Sequence, residues 1–239
     1  MARSSARPVA ADPARFAEFC AATAFRGLPP SRLAALFDRS RYWQAGRRQQ
    51  LFTAGSQGDD MFVVLAGKVA LTYEHRGAQA TMVEVMTRGD HFGESGALIG
   101  GRRLLTASVL SDRAELVMLP GTPLRAWLAE HPDAALNLLG CLARRVRNVT
   151  VTTTDTALLT LPSRLAKQLL QLAERFGTDT ARGIVIDHEL TQWELAQLTG
   201  STRETVNKAL RHFETRGWIR TDVRSVTVLD SDALARRSH

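Results

Sequence analysis

The hydrophobic pattern of this chain changes period twice. From Tyr42 to Pro120, short runs rich in β-branched and other apolar residues recur at Gln50–Thr53, Met61–Leu65, Lys68–Glu74, Ala80–Thr87, Thr106–Leu110 and Glu115–Leu119. Glycine-bearing turns at Gly46, Gly55, Gly58, Gly67, Gly77 and Gly89 punctuate them. Several short strands at this spacing predict a β-barrel or β-roll. Proline is nearly absent within the runs, as ladder hydrogen bonding requires. Upstream, residues 14–25 and 31–38 read as short helices, broken at Gly27-Leu28-Pro29-Pro30. The first 13 residues are expected to be a disordered tail.

After Gly121 the period becomes helical. Apolar or small residues at Ala135, Leu139, Leu142, Val146, Val149, Thr153 and Thr156 follow a 4-3-4 spacing, a heptad seam across three repeats. The seam predicts a parallel dimer through Leu139, Leu142, Val146, Val149 and Thr153. The competing reading is burial against the chain's own β-rich part, and one helix can serve both on different faces. Residues Val149 to Thr154 are all β-branched, so the seam is weakest there. Pro162 marks a boundary and opens a new helix, Ser163–Phe176. Gly177–Gly183 reads as a loop, and Ile184–Ile186 as a brief strand.

The segment Leu190–Leu210 reads as two short helices joined by a tight turn. Ala196 is small where they would cross. Gly200 supplies the turn, where a positive φ is cheap only for glycine. Val206 and Leu210 give the second helix an apolar face, and Ser201 or Thr202 is its N-cap. Arg203 and Glu204 occupy its first turn, with Lys208 four residues beyond Glu204. This is the pattern of a DNA-reading helix-turn-helix, whose second helix presents such side chains to the major groove. The bland alternative is an ordinary helix pair with a solvated charged face. Two apolar runs flank Asp222–Ser225 and read as a hairpin, the wing of a winged helix, which favours the first reading. The expected organisation is α+β. A tail (1–13) precedes a β-roll sensor domain (14–131), a dimerisation helix (132–160) and a C-terminal winged helix-turn-helix (161–239).

Composition adds less. The chain has 239 residues, a formal net charge of +7 and a pI near 10.4, which favours a polyanionic partner. Residues 160–239 hold 12 Lys/Arg against 10 Asp/Glu, so a DNA-binding face must come from local arrangement. The two cysteines, Cys20 and Cys141, form neither a disulfide framework nor a metal motif. With no apolar signal-peptide core and no run long enough to span a membrane, a reduced cytoplasmic setting is expected. No P-loop, G-x-S-x-G, H-E-x-x-H or paired zinc motif is present, so no enzymatic activity, catalytic residue or metal site is assigned.

The order β-roll, long helix, winged helix-turn-helix joins two motifs, Gly89-Asp90-His91-Phe92-Gly93-Glu94 and Ser201-Thr202-Arg203-Glu204-Thr205-Val206. Over residues 25–230 the chain resembles the cyclic-AMP receptor protein / fumarate-nitrate regulator (CRP/FNR) family of bacterial transcription factors, closer to the cyclic-AMP receptor branch. The resemblance implies a homodimeric regulator that reads palindromic double-stranded DNA through Arg203, Glu204 and Lys208, with Thr202 and Thr205 on phosphates. It implies RNA polymerase as a further partner. Lysine at 208 lacks the bidentate geometry of arginine, so its contact is weaker or phosphate-directed.

The resemblance also implies an effector site. In cyclic-AMP-binding members a Gly-Glu pair holds the ribose, and a following Arg-Ser/Thr-Ala takes the cyclic phosphate. Gly93, Glu94 and Thr106 match this pattern, but Leu105 stands where the arginine is expected. On the long helix Val149-Thr150 replaces a purine-contacting Thr-Ser pair, so only Thr150 keeps its hydroxyl. A cyclic nucleotide is the effector class implied, with cyclic AMP disfavoured because a charge-assisted phosphate pair is lost. Arg102 and Arg103 either supply an anion site from another direction or form a solvated loop pair. His75, His91 and Cys141 are the candidate axial ligands for a haem sensor, and read more simply as solvated or packing residues. Rival readings are a ligand-independent or architectural DNA-binding protein and a regulator answering a different effector.

Overall fold

The computed structural model describes residues 7–8, 12–74, 80–186, 190–222 and 225–238. It divides into two compact units, Met1–Ala78 with Val83–Arg147, and Gln79–Met82 with Asn148–His239. The division falls inside the long helix rather than at either of its ends. Most of the expected tail and the turn holding His75 and Gly77 lie outside the described residues.

The first unit opens with strand β1 (Arg7–Pro8), helix α1 (Pro13–Cys20), a 3-10 turn (Thr23–Phe25) and helix α2 (Pro30–Asp38). Asp12 caps α1, its carboxylate accepting from the Ala14 amide at 3.0 Å, and proline occupies the first turn of both helices. The roll follows: β2 (Arg41–Gly46), β3 (Gln50–Phe52), β4 (Asp60–Ala66), β5 (Val69–Tyr73), β6 (Thr81–Met86), β7 (His91–Phe92), α3 (Glu94–Ile99), β8 (Thr106–Val109) and β9 (Arg113–Pro120). Two antiparallel sheets form it, in the orders β1-β2-β9-β4-β7 and β3-β8-β5-β6. Helices α4 (Gly121–Glu130) and α5 (Pro132–Leu158) complete the helical part.

Period-two alternation explains why β4 is apolar from Met61 to Ala66. Met61, Val63 and Leu65 face a core shared with Phe19, Phe25, Leu33, Phe37, Leu124 and Trp127 of the helices. Phe62 and Val64 face the roll interior with Val69, Leu71, Phe92 and Leu116. A strand covered on both faces has no polar positions to alternate with. Strand β9 repeats the arrangement, with Val117 and Leu119 on one side and Leu116 and Met118 on the other. Inside the roll the Phe62 and Phe92 rings stack 5.2 Å apart, with Phe52 tilted against both.

Helix α5 runs unbroken for 27 residues, through the β-branched segment. There Thr153, Thr154 and Thr156 donate their hydroxyls to the carbonyls of Val149, Thr150 and Thr152, four residues back. Such bonds let threonine settle in a helix at a small cost in regularity. The helix carries two faces. Ala134 and Leu138 are buried in the core with the helices, whereas Leu139 and Val146 of the heptad seam are 58% and 67% exposed.

The second unit contains α6 (Leu161–Phe176), β10 (Gly177–Thr180), β11 (Gly183–Ile186), α7 (Gln192–Leu198), α8 (Arg203–Thr215), β12 (Ile219–Thr221), β13 (Val226–Val228) and α9 (Ser231–Arg237). Its sheet has the order β10-β11-β13-β12. The wing hairpin β12–β13 is closed by the Asp222 amide donating to the Ser225 carbonyl at 2.9 Å. Residues read from the sequence as a loop, Gly177–Gly183, instead form β10 and its turn into β11. All four β10 residues are exposed, so the strand leaves no apolar pattern. At Gly183 φ is +119° and a Cβ would lie 2.2 Å from the Val228 carbonyl oxygen, so the turn requires glycine.

Candidate DNA-reading surface and effector site

The helix-turn-helix is set by its caps. Thr191 opens α7 in a capping box: its hydroxyl accepts from the Glu194 amide, while its own amide donates to the Glu194 carboxylate at 2.6 Å. Gly200, at φ +62°, closes α7. Its amide donates to the Gln197 carbonyl and the Ser201 amide to the Ala196 carbonyl, the paired bonds of a Schellman turn. Of the two candidate caps for α8, Thr202 serves, its hydroxyl accepting from the Thr205 amide at 3.3 Å. Val206, Ala209, Leu210 and Phe213 bury the opposite face. Arg203, Glu204, Thr205 and Lys208 are left exposed on the outward face. Among the described residues none of Arg203, Glu204 and Lys208 is engaged in an ion pair, so all three remain available to a ligand. The wing is tied to the same helix, because the Glu214 carboxylate accepts from the Thr221 amide and hydroxyl.

The second site lies in the first unit, where the β7–α3 turn meets the β8 approach. Gly93 caps α3 at φ +80°, which only glycine adopts cheaply. Glu94 follows and is 7% exposed. One of its carboxylate oxygens accepts from Arg145 Nη1 at 2.6 Å, and the other is buried without a hydrogen-bond partner. Arg145, on the buried-face spacing of α5 with Ala134 and Leu138, also donates to the His91 carbonyl and pairs with Glu84 at 3.1 Å. Burial lowers the Arg145 pKa, but Glu94 and Glu84 outweigh it, and the net direction is upward.

Arg102 and Arg103 part company. Arg102 is exposed and donates to the Gly55 carbonyl at 2.7 Å. Arg103 turns inward and is also 7% exposed. Its guanidinium donates to the Gly93 carbonyl at 3.0 Å, lies 4.0 Å from Asp60 and stands 4.3 Å over the Phe52 ring, while Nε is buried without a partner. Three glycines make the room: a Cβ at Gly58, Gly93 or Gly96 would fall 1.9, 2.7 or 2.8 Å from a guanidinium atom. Burial lowers the Arg103 pKa, with Asp60 and Glu94 opposing. Thr106 is buried and accepts from the Ala54 amide at 2.9 Å, and Leu105 packs against the roll core. The structure thus brings together Gly93, Glu94 and Arg103, holds Thr106 in β8 against Ala54 instead, leaves Arg102 outside, and adds Arg145 and Asp60, which sequence reasoning missed. The available signal for Arg145 was a charged residue on the helix face that Ala134, Leu138 and Cys141 share. Val149 and Thr150 belong to the second unit and are exposed on α5.

Two comparisons decide the family. Residues 43–131 match the cyclic nucleotide-binding domain, and residues 163–237 match the Crp-like helix-turn-helix domain. The chain is 38% identical over 214 residues to a CRP-like cAMP-activated global transcriptional regulator from Mycobacterium tuberculosis, covering 90% of this chain and 95% of that protein. The chain belongs to the CRP/FNR family. It is also 29% identical to a cyclic AMP receptor protein from Thermus thermophilus, over 88% of this chain and 94% of that one. Among solved structures, a CRP-family transcriptional regulator from Thermus thermophilus superposes with a TM-score of 0.69 at 25% identity, covering 82% and 95% of the two chains. As a CRP/FNR member the chain is a transcription regulator, not an enzyme, with a DNA-binding helix-turn-helix and a cyclic nucleotide-binding domain. No helix among the described residues is long and apolar enough to cross a membrane.

His91, in β7 three residues before Glu94, is buried with Nδ1 3.3 Å from the Thr23 hydroxyl. Burial pulls its pKa from 6.5 down to about 4, against the pull of Glu94. The folded state therefore resists a proton that the unfolded chain accepts. Stability is fully present above about pH 6.5 and falls as pH drops from there to about 4, by up to about 3 kcal/mol. Denaturant unfolding at stepped pH should show this slope in the wild type and a shallower one in His91→Asn. Equal slopes would exclude His91 as its source.

Proposed function

We propose that the chain is a homodimeric, sequence-specific regulator of transcription whose β-roll binds a cyclic nucleotide through Glu94 and Arg103. The observation that carries the effector reading is a pair of buried atoms without partners, one oxygen of Glu94, just after Gly93, and Nε of Arg103, whose guanidinium reaches the Gly93 carbonyl. Buried polar atoms are rarely left unpaired, and a bound ribose hydroxyl and cyclic phosphate have the chemistry to satisfy both. Arg103 thereby takes the role that the resemblance sought at position 105. The name of the Mycobacterium tuberculosis relative, cAMP-activated, supports cyclic AMP as the first nucleotide to test.

Dimerisation is supported by the exposed seam face of α5, since large apolar side chains at Leu139, Val146 and Val149 stand in solvent in the single chain. Two copies would set two recognition helices on half-sites one DNA turn apart, about 34 Å. Coupling would run through Arg145, which joins the Glu94 turn to α5. A ligand drawing on Glu94 alters the partners of Arg145, and DNA affinity follows if the two arrangements of α5 bind operator unequally. RNA polymerase is the partner through which a regulator of this family acts on transcription.

Three measurements test this reading. Arg203→Ala should cost about 1–3 kcal/mol on a selected operator and relax base preference at its position; unchanged affinity and preference would remove the recognition-helix assignment. Val146→Asp, exposed in the monomer and buried in a dimer, should shift light scattering from dimer to monomer at micromolar concentration. A monomeric wild type would refute the seam. Calorimetric titration with cyclic AMP and cyclic GMP should show binding by the wild type that Arg103→Met weakens about tenfold to a hundredfold. Leu105→Arg should change it little. A silent Arg103→Met beside a strengthened Leu105→Arg would return the phosphate to position 105, and a wild type that binds neither nucleotide would overturn the effector reading.

A further inference from the structure

A cleft of about 220 Å³ opens in the second unit, lined by Trp218, Asp230, Ala233, Arg236 and Arg237. Trp218 stands at the root of the wing, where its carbonyl accepts from the Leu229 and Asp230 amides at 2.8 and 3.1 Å. Its ring lies 5.5 Å from that of Phe213, and the Arg216 guanidinium stands 5.3 Å from the ring centre. The indole is half-buried and braced, so the cleft has a flat aromatic wall fixed before anything binds. Helix α8, 13 residues or about 20 Å long, separates this wall from the reading end at Arg203.

Two cations face the cleft. Arg236 and Arg237 are consecutive on α9, so their side chains diverge by about 100° around the helix and reach the cleft from different sides. Arg237 is anchored by one bond, Nη1 donating to the buried Ser163 hydroxyl at 2.9 Å, which leaves most of its guanidinium donors unused. Arg236 is exposed and, among the described residues, has neither a hydrogen bond nor an ion pair. Asp230 does not neutralise them. Its Oδ1 accepts from the Ala233 amide at 2.8 Å, and it pairs with neither arginine among the described residues. Its second oxygen keeps its capacity to accept.

An indole beside two guanidinium groups suits a flat ring that bears an anion, since arginine takes a carboxylate through two parallel bonds. Sites for drug-sized ligands start at about 300 Å³. A cleft of about 220 Å³ therefore holds one ring and its acid rather than a nucleotide. We propose that this cleft is a second small-molecule site, for a single-ring aromatic carboxylate with a ring hydroxyl. The ring lies against Trp218, the carboxylate takes Arg236 and Arg237, and the hydroxyl donates to Asp230. Neither the cyclic nucleotide reading nor the recognition-helix reading is needed for it.

The test follows the indole N–H signals of the full-length protein by nuclear magnetic resonance, with the Trp218 signal assigned by its loss in Trp218→Phe. The probes are 3-hydroxybenzoate, benzoate and the neutral 3-hydroxybenzamide. The hydroxy acid should shift the Trp218 signal saturably, with a dissociation constant of about 1 mM, as suits a ligand of this size. Benzoate should bind more weakly, and the amide about tenfold more weakly still than the hydroxy acid. Arg236→Met removes an exposed side chain without a partner, so its thermal unfolding should match the wild type while it weakens the acid about tenfold. Arg237→Met should weaken the acid as well. No saturable shift of the Trp218 signal up to about 10 mM acid would overturn the site. So would acid and amide binding alike, or an Arg236→Met variant that binds the acid as the wild type does.

Discussion

One guanidinium organises the first unit. Arg145 reaches from the long helix into the roll and holds the Glu94 carboxylate, the His91 carbonyl and the Glu84 carboxylate at once. Taking these charges out of water is expensive, and their mutual attraction offsets the cost only while the geometry is kept. The α3 turn and α5 are therefore fixed together: a shift of either leaves a buried charge without its partner. The neutral state of His91 follows from the same closure, since the burial that stabilises the ion pair excludes a further proton from the imidazole.

A second cation stands under different terms. Arg103 is as buried as Glu94, yet its partners are a carbonyl, a carboxylate at the limit of ion-pair distance and an aromatic face. Its Nε has none. Each guanidinium nitrogen of Arg145 has a partner, while Arg103 keeps one buried nitrogen without. That contrast separates a structural ion pair from a buried cation with a donor left unpaired.

Much of this was legible in the sequence where burial is one-sided or caps are explicit. The strands from Gln50 to Leu119 appear in the alternation and the glycine turns, and the two reading helices in Ala196, Gly200 and the threonine cap. What was illegible lacked pattern. Strand β10 is exposed at every residue, and α9 has only Ala233 and Leu234 to bury. Arg102 and Arg103 are neighbours of one type, and nothing in their identity tells which turns inward. Of the decisive residues, Gly58 lies far in the chain from Gly93 and Gly96, and only the fold shows that the three vacate one space. Arg145 was hidden because the heptad reading, which allowed a second, buried face of α5, named no charged residue on it.

The threonine-rich stretch of α5 has a mechanical meaning. Three carbonyls there, at Val149, Thr150 and Thr152, accept a side-chain hydroxyl from four residues ahead. Each shared acceptor weakens the axial bond it would otherwise give wholly to the backbone, so the helix is continuous there but softer in bending and torsion. The N-terminal half is clamped to the roll by Arg145. Helix α5 is a rod of graded stiffness, rigid where it is clamped and compliant just past Arg147, where the first unit gives way to the second. Displacement entering at the stiff end would be stored there as elastic twist, spread over several residues rather than concentrated at a hinge.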